Sequence, residues 1–155
     1  MEDDFVILPK KLDLKKIEAP AVSMEEIADA VELMKKSPLR QEFPVVNRFT
    51  PGLYSRELRL PRGAMVITMV HKTEHQFIVS AGKVWVWSPG EKKILIEAPY
   101  HGVTKPGTVR LAQVEEDLVW TTFHPTNETD VKKLEEQLVM EPRTALEFKE
   151  TKWLS

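Results

Sequence analysis

The stretch that decides the fold of this chain is residues 61–86, PRGAMVITMVHKTEHQFIVSAGKVWV. Short apolar, β-branched segments alternate here with turns that contain Pro, Gly or charged residues. His71 stands near the end of one such segment, and His75 begins the next after a three-residue turn. Short runs of this composition between turn residues are typical of β-strands. The stretch therefore predicts consecutive strands, with two histidines beside one turn and a tight turn at Gly82.

The same pattern extends on both sides of this stretch. All six glycines lie between Gly52 and Gly107, and turn signals recur mostly every seven to twelve residues. The β-rich runs between them cover residues 53–60, 64–70, 76–80, 83–87, 93–97, 109–114 and 118–123. The acidic run at 115–117 is interpreted as a hairpin turn. Many short strands with regular turns predict an antiparallel sandwich or barrel over residues 44–126.

The N-terminal part divides into an extended arm at residues 1–22 and a helix with a linker at 23–43. The arm contains an apolar segment that either docks, across a surface or at a sheet edge, or frays. Ser23 and Glu26 have the spacing of a capping box, which predicts a helix over 23–37. Apolar residues recur there every three or four positions and form one stripe.

The C-terminal part, residues 127–155, is predicted to hold a helix and a tail. The helix is expected over 127–139, with Asn127 or Thr129 as its N-cap. In the tail, Phe148, Trp153 and Leu154 are candidates for anchoring the chain to the body or to a neighbour.

Composition excludes several classes of protein. The net charge is −2, which does not favour nucleic acid or an anionic membrane, and no apolar run reaches the roughly 18 residues of a membrane-spanning helix. The chain has no cysteine, which excludes disulfides, thiolate metal ligands and a cysteine nucleophile. The acidic start is not a secretory signal, so we expect a cytoplasmic protein. Phosphate-loop, dinucleotide, serine-elbow and HExxH motifs are all missing from the sequence.

The spacing of residues 63–82 resembles the first motif of the cupin superfamily, which reads Gly, a strand, His-x-His, three or four residues, Glu, six residues, Gly. Met69, His71 and His75 stand at the first His, the second His and the Glu of that motif. Residues 96–120, IEAPYHGVTKPGTVRLAQVEEDLVW, resemble the second motif. Its Pro is matched by Pro99, whereas His101 stands at its Gly and Thr104 at its His. The resemblance implies a mainly β protein with a single antiparallel cupin-type barrel (jelly roll), flanked here by an N-terminal and a C-terminal helix.

Strand alternation gives a candidate site inside the barrel. His71 shares a face with Ile67 and Met69, and His75 shares a face with apolar Phe77 and Val79, so both rings are expected to point inward. On the last strand His124 shares a face with Trp120. We therefore predict His71, His75 and His124 as ligands of one divalent ion, which would be zinc, iron, nickel or manganese. The alternative is a barrel without metal, in which the histidines hydrogen-bond a ligand or each other.

Three further residues are predicted to contact a ligand: His101, Thr104 and Trp120. The arginines Arg56, Arg59 and Arg110 lie within strands, and ion pairs with Glu57 or with the acidic run at 115–117 are the expected explanation for them. No catalytic residue is assigned.

Two functional hypotheses follow. The first is a small-molecule-binding cupin-like protein, with or without a metal; whether it is an enzyme is left open, because cupin barrels support both enzymes and binding proteins. The second is a structural or interaction protein that uses a degenerate barrel as an oligomeric scaffold, because the terminal arms are of the kind that clasp a neighbouring subunit. The stretch TTFHPTNETDVKKLEEQL, residues 121–138, also resembles small cupin-like proteins of phages and prophages. A homo-oligomer is expected, without nucleic-acid or membrane partners.

Overall fold

A computed structural model describes residues 5–8 and 18–148. Most of the predicted arm, the end of the tail and the anchors Trp153 and Leu154 lie outside these residues. Three helices and ten strands are described, in the following order along the chain: β1 Phe5–Ile7, α1 Met24–Lys36, β2 Val45–Thr50, β3 Leu53–Leu60, β4 Met65–Ile67, β5 Val70–His71, β6 His75–Trp87, β7 Ile94–Glu97, β8 Tyr100–Thr104, β9 Leu111–His124, α2 Val131–Leu138, β10 Val139–Met140 and α3 Pro142–Phe148.

Eight of the strands form one curled antiparallel sheet. Strand β9 is central, because β3 and β4 pair with different parts of one of its edges and β6 pairs along the other. Strands β7 and β8 pair with β6, β2 pairs with β3, and β1 pairs with β4. The short strands β5 and β10 form a separate two-stranded sheet. The predicted mainly β fold with a helix on each side is confirmed, as a curled half-barrel.

Strands β6 and β9 are longer than the sequence predicted. The expected turn at Gly82 lies inside β6, and the expected hairpin turn at 115–117 lies inside β9, so both of these predictions were wrong. The two strands pair with each other from Gln76–Phe123 to Trp87–Leu111. The ladder is irregular between Val79 and Val84, where its register shifts. Such irregularities bend a strand and increase its twist, so the residues that resemble turns provide the bend of one continuous strand.

Gly82 occupies the bend of β6. Its φ is +92°, a conformation that other residues rarely adopt. A Cβ atom at this position would lie 2.7 Å from the backbone oxygen of Glu116 and closer still to that of Asp117. Because both neighbours are backbone atoms of β9, no side-chain movement relieves the overlap. The bulge therefore requires glycine.

The helices begin at local signals in the sequence. Ser23 accepts a hydrogen bond from the amide of Glu26, whose carboxylate accepts one from the amide of Ser23, so the predicted capping box is present. Helix α2 starts later than expected. Its N-cap is Asp130, which accepts hydrogen bonds from the amides of Lys132 and Lys133, and neither Asn127 nor Thr129 caps it. An Asp carboxylate is a strong cap and also suits the positive end of the helix.

Two apolar clusters hold these elements together. The first, the helix–sheet core, packs α1 and α2 residues such as Ile27 and Leu134 against Trp87. The second, the sheet core, joins strand residues such as Val86 and Leu118 across the curled sheet. Alternation along β6 therefore places Trp87 against the helices and Val86 in the sheet core. None of the helices in the described residues is long and apolar enough to span a membrane.

The described part of the N-terminal arm pairs at the edge of the sheet. Phe5, Val6 and Ile7 lie opposite Ile67, Val66 and Met65 in antiparallel register. Phe5 and Val6 are buried, 5% and 4% exposed, so this segment contributes to the hydrophobic core. Of the two alternatives that the sequence left open for these three residues, edge pairing is the one observed.

Candidate functional site

The curled sheet encloses a cavity of about 50 Å³. On a scale where one water needs at least about 10–15 Å³, this space corresponds to roughly three to five waters. Strand alternation builds its walls, because every second residue of β3 and of the second half of β9 faces it. The lining residues are Arg56, Leu58, Leu60, Val66, Thr68, His71, Arg110, Ala112, Leu118, Trp120, Thr122, His124 and Val139.

At one end of this cavity the rings of His71, His75 and His124 form a cluster. The ring centroid of His75 lies 4.7 Å from that of His71 and 4.4 Å from that of His124. His75 and His124 are only 4% and 2% exposed, and His71 is half-buried. His71 and His124 line the cavity, and His75 also borders an open groove. The structure therefore brings these three residues together.

The route by which His71 reaches the cavity differs from the prediction. Val66 and Thr68 face the cavity, whereas Ile67 and Met69 pack in the helix–sheet core. The strand is interrupted between β4 and β5, and this interruption shifts the alternation, so that His71 shares the side of Val66 and not that of Ile67. The predicted face-sharing with Ile67 and Met69 was wrong.

Each ring of the histidine cluster has one buried nitrogen that no described residue hydrogen-bonds. Nδ1 of His75 lies 3.1 Å from the carbonyl oxygen of Thr73, which can only accept, so Nδ1 carries the proton and the buried Nε2 has the lone pair. In His124, Nε2 lies 3.0 Å from the hydroxyl of Thr122, and Nδ1 is buried without a partner. Nδ1 of His71 is likewise without one. Buried polar atoms normally have partners, so these nitrogens are candidates for hydrogen bonds to a ligand or to water.

Burial keeps the three imidazoles neutral. It lowers the pKa of His71 well below its usual value and that of His124 to about 3. Burial also lowers the pKa of His75, partly offset by the hydrogen bond to Thr73. Positive charge on Arg56 and Arg110 acts in the same direction. At neutral pH the rings therefore offer hydrogen-bond donors and acceptors without adding charge.

A divalent metal does not fit these residues well. Within the part of the chain that the structure describes, no group of three or more His, Asp or Glu side chains is arranged to hold a metal ion. Among the described residues that line the cavity, two are arginines and none is a carboxylate, so an added cation would meet positive charge there. The position that the cupin motif gives to Glu holds His75, which removes the usual negative ligand. Metal binding by His71, His75 and His124 stays a prediction.

The three predicted ligand contacts lie at different places. Trp120 lines the cavity, and its ring stacks on that of Phe77 at 4.5 Å with an interplanar angle of 9°. Thr104 is buried and accepts a hydrogen bond of 3.1 Å from Nη2 of Arg110, so it supports a lining residue without lining the cavity itself. His101 is exposed on β8 and borders the open groove outside the cavity.

The arginines are the functional candidates that sequence reasoning missed. Arg59 pairs with Glu57 on the exposed side, as expected. Arg56 instead shares the inward face of β3 with Leu58 and Leu60, and Arg110 also lines the cavity. The signal for Arg56 was available in the alternation Arg56, Leu58, Leu60, which places its side chain on the apolar face of a half-buried strand.

Comparison with known proteins gives likenesses in structure only. No family model and no curated protein matches the chain. A cupin-like protein from Thermotoga maritima is 18% identical, with 54% of this chain and 67% of that one covered at a TM-score of 0.46. A cupin-2 domain protein from Shewanella frigidimarina is 15% identical, covering 56% and 83% at a TM-score of 0.45. The Fe(II) form of HppE in complex with substrate is 8% identical, covering 66% and 74% at 0.44. These likenesses concern the fold alone.

Proposed function

We propose that this chain is a small-molecule-binding protein whose ligand occupies the cavity of the curled sheet. The observation that carries the proposal is the lining of the cavity, which is largely apolar and has a few polar groups converging at one end. Ligand sites typically combine an apolar wall with a small number of polar groups that fix orientation. Leu58, Leu60 and Leu118 supply the wall, and the histidine cluster with two arginines supplies the polar groups.

The unpartnered nitrogens of the histidine cluster support this proposal. A buried donor or acceptor without a partner costs about 1–3 kcal/mol, and such nitrogens of His71 and His124 lie on residues that line the cavity. A ligand that hydrogen-bonds one or both rings would recover part of this free energy. The proposal includes no reaction.

The proposal is tested by screening a fragment library of mixed charge by NMR on the full-length protein. Ligands that occupy the cavity should shift the indole signal of Trp120 and the ring signals of His124. A cavity-filling variant, Ala112→Phe, should abolish those shifts, whereas Ala30→Phe on α1, away from the cavity, should leave them intact. Fragments that bind without affecting Trp120, or equally well in Ala112→Phe, would contradict the proposal.

The version with a bound metal has its own test. Elemental analysis after reconstitution with zinc, iron, nickel and manganese salts should give stoichiometric metal in the natural chain and a loss in His71→Ala and His75→Ala. Substoichiometric metal in every case would remove this version and leave the metal-free binding protein.

A scaffold role is the second candidate, and one observation favours it. Strands β7 and β8 carry exposed apolar side chains, with Ile94, Leu95 and Val103 exposed by 51%, 42% and 52%. Clusters of this kind are common at protein interfaces. Light scattering on the natural chain and on Ile94→Lys tests whether these side chains join copies; a monomer in both would argue against the scaffold. A phage or prophage setting belongs to this candidate and stays a prediction.

A further inference from the structure

The charge of the cavity is one-sided. The described residues of its lining provide the guanidinium groups of Arg56 and Arg110, hydroxyls, neutral imidazoles and apolar side chains, and none of them is Asp or Glu. The nearest acidic residue in the sequence, Glu57, points to the opposite face of β3 and is engaged by Arg48 and Arg59 at 3.2 and 2.8 Å. Glu57 is therefore engaged by arginines outside the cavity, whereas Arg56 and Arg110 line it.

Arg110 is held in place by groups that do not neutralise it. Its Nη2 donates to the hydroxyl of Thr104, and its guanidinium lies over the rings of Phe77 and Trp120, 4.9 and 5.5 Å from their centroids. No carboxylate of the described residues lies within ion-pair distance of it. Burial lowers the pKa of Arg110 to about 10, against the influence of Tyr100 and Glu91, so the side chain is still charged at neutral pH. A desolvated charge is costly unless an opposite charge meets it.

Arg56 adds a second charge to the same cavity. It is 8% exposed and lies on the inward face of β3, two residues before Leu58. The positive charge of Arg56 acts on the histidine cluster, where it contributes to the lowered pKa of both His71 and His124. Both guanidinium groups therefore line the same cavity, and the imidazoles that share it are uncharged.

We infer that the ligand of this cavity is a small organic anion, a carboxylate with a short apolar chain. This inference rests on the proposed binding function and specifies its ligand class. The carboxylate would meet Arg110 and Arg56, since guanidinium groups bind carboxylates with charge-assisted, often bidentate hydrogen bonds. The chain would lie against Leu60 and Leu118. The size of the cavity limits the ligand to roughly four to six non-hydrogen atoms, by comparison with the three to five waters it could hold.

The test compares three probes of similar size and different charge: butyrate, butyramide and butylamine. Isothermal titration calorimetry on the full-length protein at pH 7.5 measures each affinity. Butyrate should bind at least about tenfold more tightly than butyramide, because hydrogen bonds to charged groups exceed neutral ones by about that factor. Butylamine should not bind. Inorganic phosphate, which lacks an apolar chain, should bind more weakly than butyrate.

Variants then assign the affinity to the cavity. Arg110→Gln should weaken butyrate binding at least about tenfold, with little effect on butyramide. Arg110→Lys keeps the positive charge but loses the planar guanidinium group. Its affinity for butyrate should lie between those of the natural chain and Arg110→Gln. The matched control is Arg59→Gln. Arg59 lies on the same strand as Arg56, but its side chain is 66% exposed and faces away from the cavity. This variant should bind butyrate as the natural chain does. Circular dichroism confirms that each variant is folded.

The outcomes distinguish a failure of the anion inference from a failure of the proposed binding function. Butyramide or butylamine binding as tightly as butyrate would overturn the anion inference and leave a cavity that binds small molecules. Butyrate binding that is unchanged in both Arg110→Gln and Arg56→Gln would also overturn it. If no probe of any charge binds, and the fragment screen also gives no cavity ligand, the proposed function fails together with the inference.

Discussion

Replacing Gly82 by Ala tests whether the bulge in β6 is as tightly built as its backbone indicates. Two costs are expected. A non-glycine residue at a φ of +92° is strained by about 1–3 kcal/mol, and forcing a methyl group into a packed site costs a further 1–3 kcal/mol or so. The methyl group would lie 2.7 Å from the backbone oxygen of Glu116. We therefore expect Gly82→Ala to lower the free energy of unfolding by about 2–6 kcal/mol.

The matched control is Gly52→Ala in the turn between β2 and β3. Gly52 also has a positive φ, +77°, but a Cβ atom there would meet nothing within 4 Å. Both variants share the backbone strain and the loss of unfolded-state freedom that accompanies a Gly-to-Ala change. The difference between them therefore isolates the close approach of β6 to β9, and it should be about 1–3 kcal/mol.

Urea unfolding followed by tryptophan fluorescence measures this difference, because four tryptophans report on the transition. For a chain of this size, each kcal/mol also corresponds to about 2–4 °C in Tm. Thermal unfolding should thus place Gly82→Ala several degrees below Gly52→Ala. Equal urea midpoints for the two variants would refute the reasoning, since the contact with β9 would then have no energetic consequence.

Three further predictions concern charge, packing and capping. Because the pKa of His124 is lowered to about 3 in the folded protein, the unfolded chain takes up the proton first as the pH falls. The free energy of unfolding should be constant above pH 7 and fall below about pH 6.5, by up to about 1.4 kcal/mol per pH unit for each such histidine. Urea unfolding at several pH values measures this dependence, and its slope should be smaller in His124→Gln. Trp87→Phe removes the donor that binds the carbonyl oxygen of Ala19 at 2.8 Å and should cost about 1–3 kcal/mol in chemical denaturation. Ser23→Ala removes the cap of α1 and should cost about 0.5–2 kcal/mol, with faster hydrogen exchange confined to the first turn of that helix.

Each of these three has a contradicting result. A stability that stays flat from pH 7 to pH 4 would mean that the histidines are not buried in their neutral form. An unfolding free energy unchanged in Trp87→Phe would mean that the hydrogen bond to Ala19 contributes nothing. Faster exchange along the whole of α1 in Ser23→Ala would point to loss of packing and not of the cap.

Much of the fold could be predicted because its signals are local. The capping box of Ser23 and Glu26 acts over a few residues, and it is present in the structure. Strand boundaries could not be predicted in the same way. A Gly that permits a bulge and a Gly that permits a turn look alike in a sequence. The close backbone of β9, which makes Gly82 a bulge, comes from a segment more than thirty residues away.

The candidate site was predictable in its histidines and not in its arginines. His75 and His124 follow strict alternation with Phe77 and Trp120, so their inward direction could be deduced. His71 reaches the cavity only because the strand breaks between β4 and β5, which alternation alone does not reveal. Arg110 follows a turn, and the residues around it do not alternate in a way that shows where its side chain points. A charged residue on a strand is by default assigned to an ion pair, and only the tertiary arrangement shows that its surroundings are aromatic rings and a hydroxyl.

The position of His75 and His124 on two paired strands has a practical consequence. His75 and His124 stand one step beyond the Gln76–Phe123 pair of the β6–β9 ladder. The distance between their Cα atoms is thus fixed by main-chain hydrogen bonds and is independent of which side chains the two positions carry. An engineer could exchange either ring for a carboxylate or an amide and expect the replacement to enter the same space from the same direction. This pair of positions is therefore suited to installing new chemistry in a small, cysteine-free protein.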